Sequence, residues 1–265
     1  MAVYERALIT SQAEIAPGIF SMWLETEKIA KTAKPGQFLS LYCGSEDKLL
    51  PRPISICEIS EDGTALRLVY RVAGKGTEEF SELKAGDRLD VMGPLGNGFP
   101  VNGKYTEDGI IPESRIKTIL IGGGIGIPPM LELAKELDCE KSIVLGYRDI
   151  TFLDKEFIPY GQVYLSTEDG SCGVKGNVID AIRQNELQAD VIYACGPTPM
   201  LKGVKAYAKE HNITAWLSLE ERMACGIGAC LACVCKTKDK DHHTHVNNTR
   251  ICKEGPVFPA EEIEL

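Results

Sequence analysis

The sequence predicts a multi-domain β plus α/β protein: an antiparallel β-barrel, a parallel-sheet α/β domain and a small cysteine-rich unit. Three observations carry this expectation. Residues 1–100 hold short β-branched or alternating segments separated by Gly- and Pro-containing turns, the pattern of a small antiparallel barrel. From Ile116 to about Ile213, continuous apolar strands alternate with helix-length segments, which predicts a parallel sheet covered by helices on both faces. Beyond Trp216 the chain concentrates its cysteines, four of ten falling between Cys225 and Cys235.

At roughly 150 residues per domain, 265 residues make about two domains, each able to bury a core. Apolar residues at 44% and charged residues at 25% exclude a disordered or collagen-like chain. The 29 Lys and Arg against 38 Asp and Glu give a net charge of -9, which repels phosphate backbones and anionic lipid, so neither nucleic acid nor membrane is an expected partner. Met1–Thr10 lacks the pattern of a secretory signal, and no apolar run approaches the roughly 18 residues that span a bilayer. This places the chain in the cytoplasm, where clustered cysteines are metal ligands or redox thiols more often than disulfides.

In the first unit, strands are predicted at Ile19–Leu24, Phe38–Tyr42, Ile54–Ile59, Leu66–Val72 and Arg88–Met92. Arg52-Pro53-Ile54-Ser55 opens one strand. Val69-Tyr70-Arg71 ends another, followed by Gly74-Lys75-Gly76-Thr77 and a short helix, Glu78–Leu83. An Arg, backbone donors and a Gly-Thr turn before a helix suit a pyrophosphate, although each alone equally fits a strand end with a salt-bridged Arg. Gly93–Arg115 collects Gly, Pro, Asn, Asp and Ser and reads as a loop-rich connection.

In the second unit (101–215), strands are predicted at Lys117–Ile121, Ser142–Gly146, Val163–Ser166 and Val191–Ala194, and helices at Pro128–Leu137, Val174–Arg183 and Pro199–His211. The first strand runs into Gly122, Gly123, Gly124, Ile125 and Gly126 before its helix. Glycines at such a turn let backbone and helix N-terminus approach a phosphate, although the spacing is not G-x-G-x-x-G. A second turn, Cys195-Gly196-Pro197, ends the last strand at the sheet edge where ligands bind.

In the third unit (216–265), Cys225, Cys230 and Cys233 read C-x4-C-x2-C, and Cys252 follows after 18 residues. That is the plant-type spacing for a [2Fe–2S] cluster. Cys235 competes for the fourth position, since residues two apart on a strand share a face, but closure from a separate segment favours Cys252. A structural zinc site and inert buried thiols are the alternatives. His242, His243 and His245 read as part of a solvated hairpin tip.

Taken in order, Arg52-Pro-Ile-Ser55, Gly76-Thr77, the glycine turn and Cys195-Gly-Pro197 resemble the flavin and pyridine-nucleotide motifs of the ferredoxin–NADP reductase superfamily. Glu221–Thr237 narrows the resemblance to the electron-transfer subunits of NAD-dependent (class 1B) dihydroorotate dehydrogenases, over essentially the whole chain. The resemblance implies FAD on Arg52–Ser55, Val69–Arg71, Gly76 and Thr77, and a cluster on Cys225, Cys230, Cys233 and Cys252. It further implies NAD as co-substrate and a partner FMN subunit that oxidises dihydroorotate, in a heterotetramer of two of each. Electrons would pass from that partner through the cluster and FAD to NAD, with Ser55 near the flavin and Cys195 near the nicotinamide. Many relatives carry an aromatic residue where Ile54 stands, a contact that Tyr70 is a candidate to replace. Ser166-Thr-Glu-Asp169 offers carboxylates where NADP-specific relatives have a Ser-Arg pair, which favours NAD. The rivals are an NADH-oxidising subunit of a sulfide dehydrogenase, a bifurcating transhydrogenase or a sulfite reductase, and a non-catalytic zinc-containing interaction protein.

Overall fold

Six antiparallel strands form the first unit: β1 (Val3–Ala16), β2 (Ile19–Glu25), β3 (Phe38–Leu41), β4 (Arg52–Ile59), β5 (Ala65–Arg71) and β6 (Arg88–Leu95). They close a barrel in the order β1-β2-β5-β4-β3-β6. The computed structural model describes residues 2–45, 47–101, 104–106, 109–111, 116–238 and 246–265. Two short helices, α1 (Ile29–Thr32) and α2 (Lys75–Glu82), plug or flank the barrel. Strand alternation sorts β5: Leu66, Leu68 and Tyr70 fill the interior, while Val69 joins the core beneath the neighbouring sheet. β1 is half exposed and interrupted by polar residues at Glu5, Arg6, Thr10, Ser11, Gln12 and Glu14, so its apolar alternation is faint, and its length shows only in its pairing with β2 and β6.

The connection expected to be loop-rich carries a hairpin of β7 (Lys104–Thr106) and β8 (Gly109–Ile111). The second unit is a seven-stranded sheet of β9 (Lys117–Gly123), β10 (Glu140–Tyr147), β11 (Gln162–Thr167), β12 (Val174–Lys175), β13 (Val191–Cys195), β14 (Thr214–Ser218) and β17 (Val257–Pro259), ordered β12-β11-β10-β9-β13-β14-β17. All its pairs are parallel except β14–β17. Helix α3 (Pro129–Glu136) covers one face with Met130, Leu131, Leu133 and Ala134. α4 (Val178–Gln184) and α5 (Thr198–Glu210) cover the other with Val178, Ile182, Leu201 and Val204.

The helix predicted over Val174–Arg183 begins only at Val178, because Asn177 is its N-cap: Asn177 Oδ1 accepts from the N–H of Ile179 at 2.8 Å, and Asp180 accepts from the N–H of Asn177 at 2.8 Å. Val174–Lys175 is freed to extend the sheet as β12. The division placed between 215 and 216 falls within β14, and the chain returns to pair β17 on that strand. The cysteine-rich segment therefore does not stand alone. Its Cys233, Ile251 and Cys252 are buried in the same core as Leu217, Phe258 and the α5 side chains. A second hairpin, β15 (Val234–Lys236) with β16 (Asn248–Arg250), frames it. The tip residues 239–245, with the three histidines, lie outside the described residues. Among the described residues, no helix is long and apolar enough to cross a membrane.

A charged seam joins barrel to sheet. The carboxylate of Glu132 on α3 is buried and accepts the Ile59 N–H of β4 at 2.7 Å, while Lys135 donates to Glu58 at 3.3 Å and to the Ile59 carbonyl at 3.2 Å. Arg67 bridges Glu58 and Glu156. Burial pushes the Glu132 carboxyl up, against the opposing pull of the Ile59 N–H and Lys135. Glu132→Ala strands the Ile59 N–H and is expected to destabilise the protein by about 1–3 kcal/mol. An unchanged denaturant midpoint would show the seam to be dispensable.

Candidate functional site

One cleft of about 1190 Å³ opens between barrel, sheet and cysteine-rich segment. From the barrel, Arg52, Pro53, Ile54, Ser55, Val69, Tyr70, Arg71 and Thr77 line it. From the sheet come Gly123, Gly126, Cys195, Gly196 and Pro197, and from the segment leading to Cys225 come Glu220, Glu221, Arg222 and Met223. Most of the residues singled out in three separate stretches of sequence thus meet in one place; Gly76, Gly122 and Gly124 are next to lining residues in the chain but do not line the cleft themselves.

On the barrel side, Arg52 lies directly over Gly76, where a Cβ would overlap the guanidinium. The first intrahelical bond of α2 runs from the Glu78 N–H to the Gly74 carbonyl at 2.9 Å, so the N–H groups of Lys75, Gly76 and Thr77 precede it. The Thr77 hydroxyl accepts from the N–H groups of Ala73 at 2.9 Å and Gly74 at 3.2 Å, locking the turn. An arginine and the N-terminus of a helix converging on one spot suit a pyrophosphate. Tyr70 is 1% exposed, its ring stacked on Phe20 and edge-on to Phe80, and its hydroxyl donates to Gln12 at 3.1 Å. Its aromatic face is committed to the barrel core, so it does not take the place of an aromatic residue at position 54.

Lys75 lines the cleft as well, and so do Lys48, Leu49 and Leu50, which no sequence motif marks. Their loop is anchored to α2 by Glu79, which accepts from the Gly44 N–H at 2.6 Å, from Lys48 at 2.6 Å and from the Ser45 hydroxyl. Partial burial opposes the Glu79 charge, but Lys48, Ser45 and Gly44 outweigh it and bring the carboxyl down to about 2. The stabilisation is therefore complete above the ordinary value of 4.5 and fades as pH falls toward 2. Glu79→Gln is expected to loosen the loop already at neutral pH and to remove that acid transition. Limited proteolysis of residues 44–50 across pH checks this, and identical cleavage of parent and variant would refute it.

On the sheet side, the glycine turn tightens over Gly124–Gly126. Gly126 packs so closely on the neighbouring strand end that a Cβ would sit 2.5 Å from the Cys195 carbonyl. The two turns are thus one surface. Burial pushes the Cys195 thiol up to about 12 despite a bond with the Ser218 hydroxyl, so it stays protonated and puts no charge in the cleft. Glu168 and Asp169 are exposed at the carboxyl end of β11, with Asp169 held low by the Ser171 backbone and hydroxyl.

The cysteines stand in two pairs. The Cys230 N–H donates to Cys225 Sγ at 3.4 Å, and the Cys252 N–H likewise contacts Cys233 Sγ. Backbone donors point at the sulfurs: Gly228 N–H to Cys252 at 3.1 Å, Ala229 N–H to Cys225 at 3.3 Å and Cys252 N–H to Cys233 at 3.4 Å. Burial raises Cys225, yet the N–H groups of Ile227, Cys230 and Ala229 bring it down to about 6. Burial and the neighbouring Cys233 push Cys252 up. Among the described residues, no three Cys, His, Asp or Glu side chains converge on a single ion. Two pairs of thiols with sulfur-directed N–H groups suit two irons, each taking two thiolates, better than one zinc taking four. Cys235 lies apart, lining a second, smaller cavity beside Lys236 and Glu264.

Comparison with known proteins accords with this arrangement. Residues 220–264 match the iron-sulfur cluster binding domain of dihydroorotate dehydrogenase B. Proteins named dihydroorotate dehydrogenase B (NAD(+)), electron transfer subunit, are 42% identical in Streptococcus mutans over the full length of both chains, and 44% identical in Listeria innocua over 97% of both. The solved NADH-dependent reduced ferredoxin-NADP oxidoreductase, described for flavin-based electron bifurcation, superposes with a TM-score of 0.83 at 29% identity, covering 98% of this chain and 90% of that one. Phthalate dioxygenase reductase shares the fold, with a TM-score of 0.58 at 17% identity over 94% of each chain. With relatives above 40% identity end to end, and the cysteine segment matched by its own domain model, this chain belongs to the family of dihydroorotate dehydrogenase B (NAD(+)) electron transfer subunits.

Proposed function

We propose that this chain carries electrons from a partner FMN subunit that oxidises dihydroorotate, by way of a [2Fe–2S] cluster and FAD, to NAD, in a heterotetramer of two of each subunit. The observation that carries the proposal is the shared cleft, in which the barrel motif, the sheet motif and the approach to Cys225 face one another. When bound, FAD exchanges electrons singly with a cluster and as a hydride with NAD, which is why the three belong together.

Arg52 and the first turn of α2 would hold the FAD pyrophosphate, with Arg71 and Lys75 adding positive charge at the rim. Pro53, Ile54, Ser55, Val69 and Tyr70 would form the wall against which the flavin lies, with Ser55 beside it. Gly122, Gly123, Gly124 and Gly126 would admit the NAD phosphates, with Cys195, Gly196 and Pro197 beside the nicotinamide. The protonated Cys195 keeps that wall uncharged, which favours a neutral environment for hydride transfer. Glu168 and Asp169 would accept from ribose hydroxyls and repel a 2′-phosphate, giving NAD over NADP. Cys225, Cys230, Cys233 and Cys252 would ligate the irons. Cys230 is exposed between Ile227 (53% exposed) and Leu231 (60%), so the cluster loop presents an apolar rim to an electron donor.

The test mixes the purified chain with a dihydroorotate-oxidising FMN subunit and assays NADH-dependent orotate reduction. A gain in NAD-linked activity with a complex of two plus two subunits supports the proposal, and no gain refutes it. Coupling to a sulfide or ferredoxin partner instead would favour the bifurcating relatives.

A further inference from the structure

We infer that Arg250 is a positioning residue that sets the reduction potential of the cluster by clamping the Gly228–Ala229 peptide, an inference that rests on the cluster assignment above. Arg250 sits on β16 opposite Val234, so a single hairpin carries both it and the residue that follows the ligand Cys233. Its Nη1 donates to the Gly228 carbonyl at 2.9 Å. A trans peptide is planar, with C=O and N–H pointing in opposite directions. Holding the Gly228 oxygen on one side therefore directs the Ala229 N–H to the other, where it meets Cys225 Sγ at 3.3 Å. The preceding N–H, of Gly228 itself, reaches Cys252 Sγ at 3.1 Å. The guanidinium thus fixes one sulfur contact directly, on Cys225, and holds the glycine whose own N–H contacts Cys252.

The clamp is itself braced. Arg250 Nε donates to Glu254 Oε2 at 2.9 Å, Nη2 bonds Oε1, and the Arg250 N–H donates to Oε2 at 3.0 Å. The Glu254 carbonyl in turn accepts from Asn97 Nδ2 of the barrel at 2.7 Å. A forked arginine–carboxylate pair is rigid, and its charges largely cancel. What reaches the sulfurs is the orientation of a peptide more than a net positive charge. Gly228 has φ +82°, a left-handed conformation that glycine adopts freely and that a residue with a side chain would strain. N–H groups on the sulfurs favour the more negative, reduced cluster, so loosening them lowers its potential.

The experiment uses the holoprotein, with iron and sulfide assays and a redox titration followed by electron paramagnetic resonance. Arg250→Ala is expected to lower the cluster's midpoint potential, shift its g-values and speed iron loss to a chelator by about tenfold or more, while flavin absorbance is unchanged. Arg250→Gln keeps an amide donor for the Gly228 oxygen without charge and is expected to restore most of the potential. Should Arg250→Ala not retain its cluster, Glu254→Gln decides by sign: a loosened clamp lowers the potential, whereas an uncompensated arginine raises it. An unmoved potential in Arg250→Ala, restoration by Arg250→Lys but not Gln, or a rise in Glu254→Gln would each overturn the inference. A parent protein without iron, sulfide or a reducible signal would overturn the cluster assignment itself.

Discussion

Cys252→Ser is expected to empty the iron site while leaving the flavin bound, and Cys235→Ser to leave both in place. Serine offers an alcohol that stays protonated where iron requires a thiolate, and it removes one half of the Cys233–Cys252 pair. The remaining three ligands would be held by a loop whose N–H groups have lost one of their sulfurs, that of Cys252 facing Gly228. Because Cys233, Ile251 and Cys252 share a core with Leu217 and Phe258, the segment should stay attached to the sheet even without metal, and the loss should be local. Iron and sulfide content together with the visible spectrum check this. Iron retained in Cys252→Ser, or lost in Cys235→Ser, would reverse the assignment of the fourth ligand.

Arg52→Ala is expected to produce the opposite pattern, with flavin lost and iron kept. A hydrogen bond to a charged group contributes about 1.5–3 kcal/mol, which corresponds to roughly ten- to a hundred-fold weaker FAD binding. The guanidinium lies where a Cβ on Gly76 would fall, so Gly76→Val should displace it and weaken FAD similarly without deleting the charge. Titration of apoprotein with FAD, followed by fluorescence, measures both. Parent-like affinity in Arg52→Ala would place the pyrophosphate elsewhere. Together the two substitutions ask whether flavin and cluster occupy separable sites on one chain.

Much of this organisation is legible in local pattern. Barrel and parallel sheet differ in hydrophobic period and in the length of segments between turns, and both are properties of a few consecutive residues. The C-x4-C-x2-C run names its chemistry because thiolate spacing along a loop constrains which metal group fits. Glycine turns at strand ends show where a ligand can come close. Asn177 and Asp180 mark the true start of α4, a capping signal that apolar periodicity over Val174–Arg183 obscured.

Other features depend on residues distant in the chain. β1 is recognisable chiefly through partners up to Gly93, and β17 through β14 some forty residues earlier, because strand pairing carries no mark in the strand's own sequence. The cysteine segment reads as an independent unit too small to hold a core, yet it borrows one from α5 and β14. Tyr70 looked free to face a ligand until packing placed its ring between Phe20 and Phe80. Lys48 and Glu79, or Arg250 and Gly228, belong together only after the chain folds. The residue types that can do the chemistry were therefore readable in the chain, where they follow from local spacing. Which of them meet, which are spent on packing and which hold others in place followed from long-range contacts that short windows of sequence do not encode.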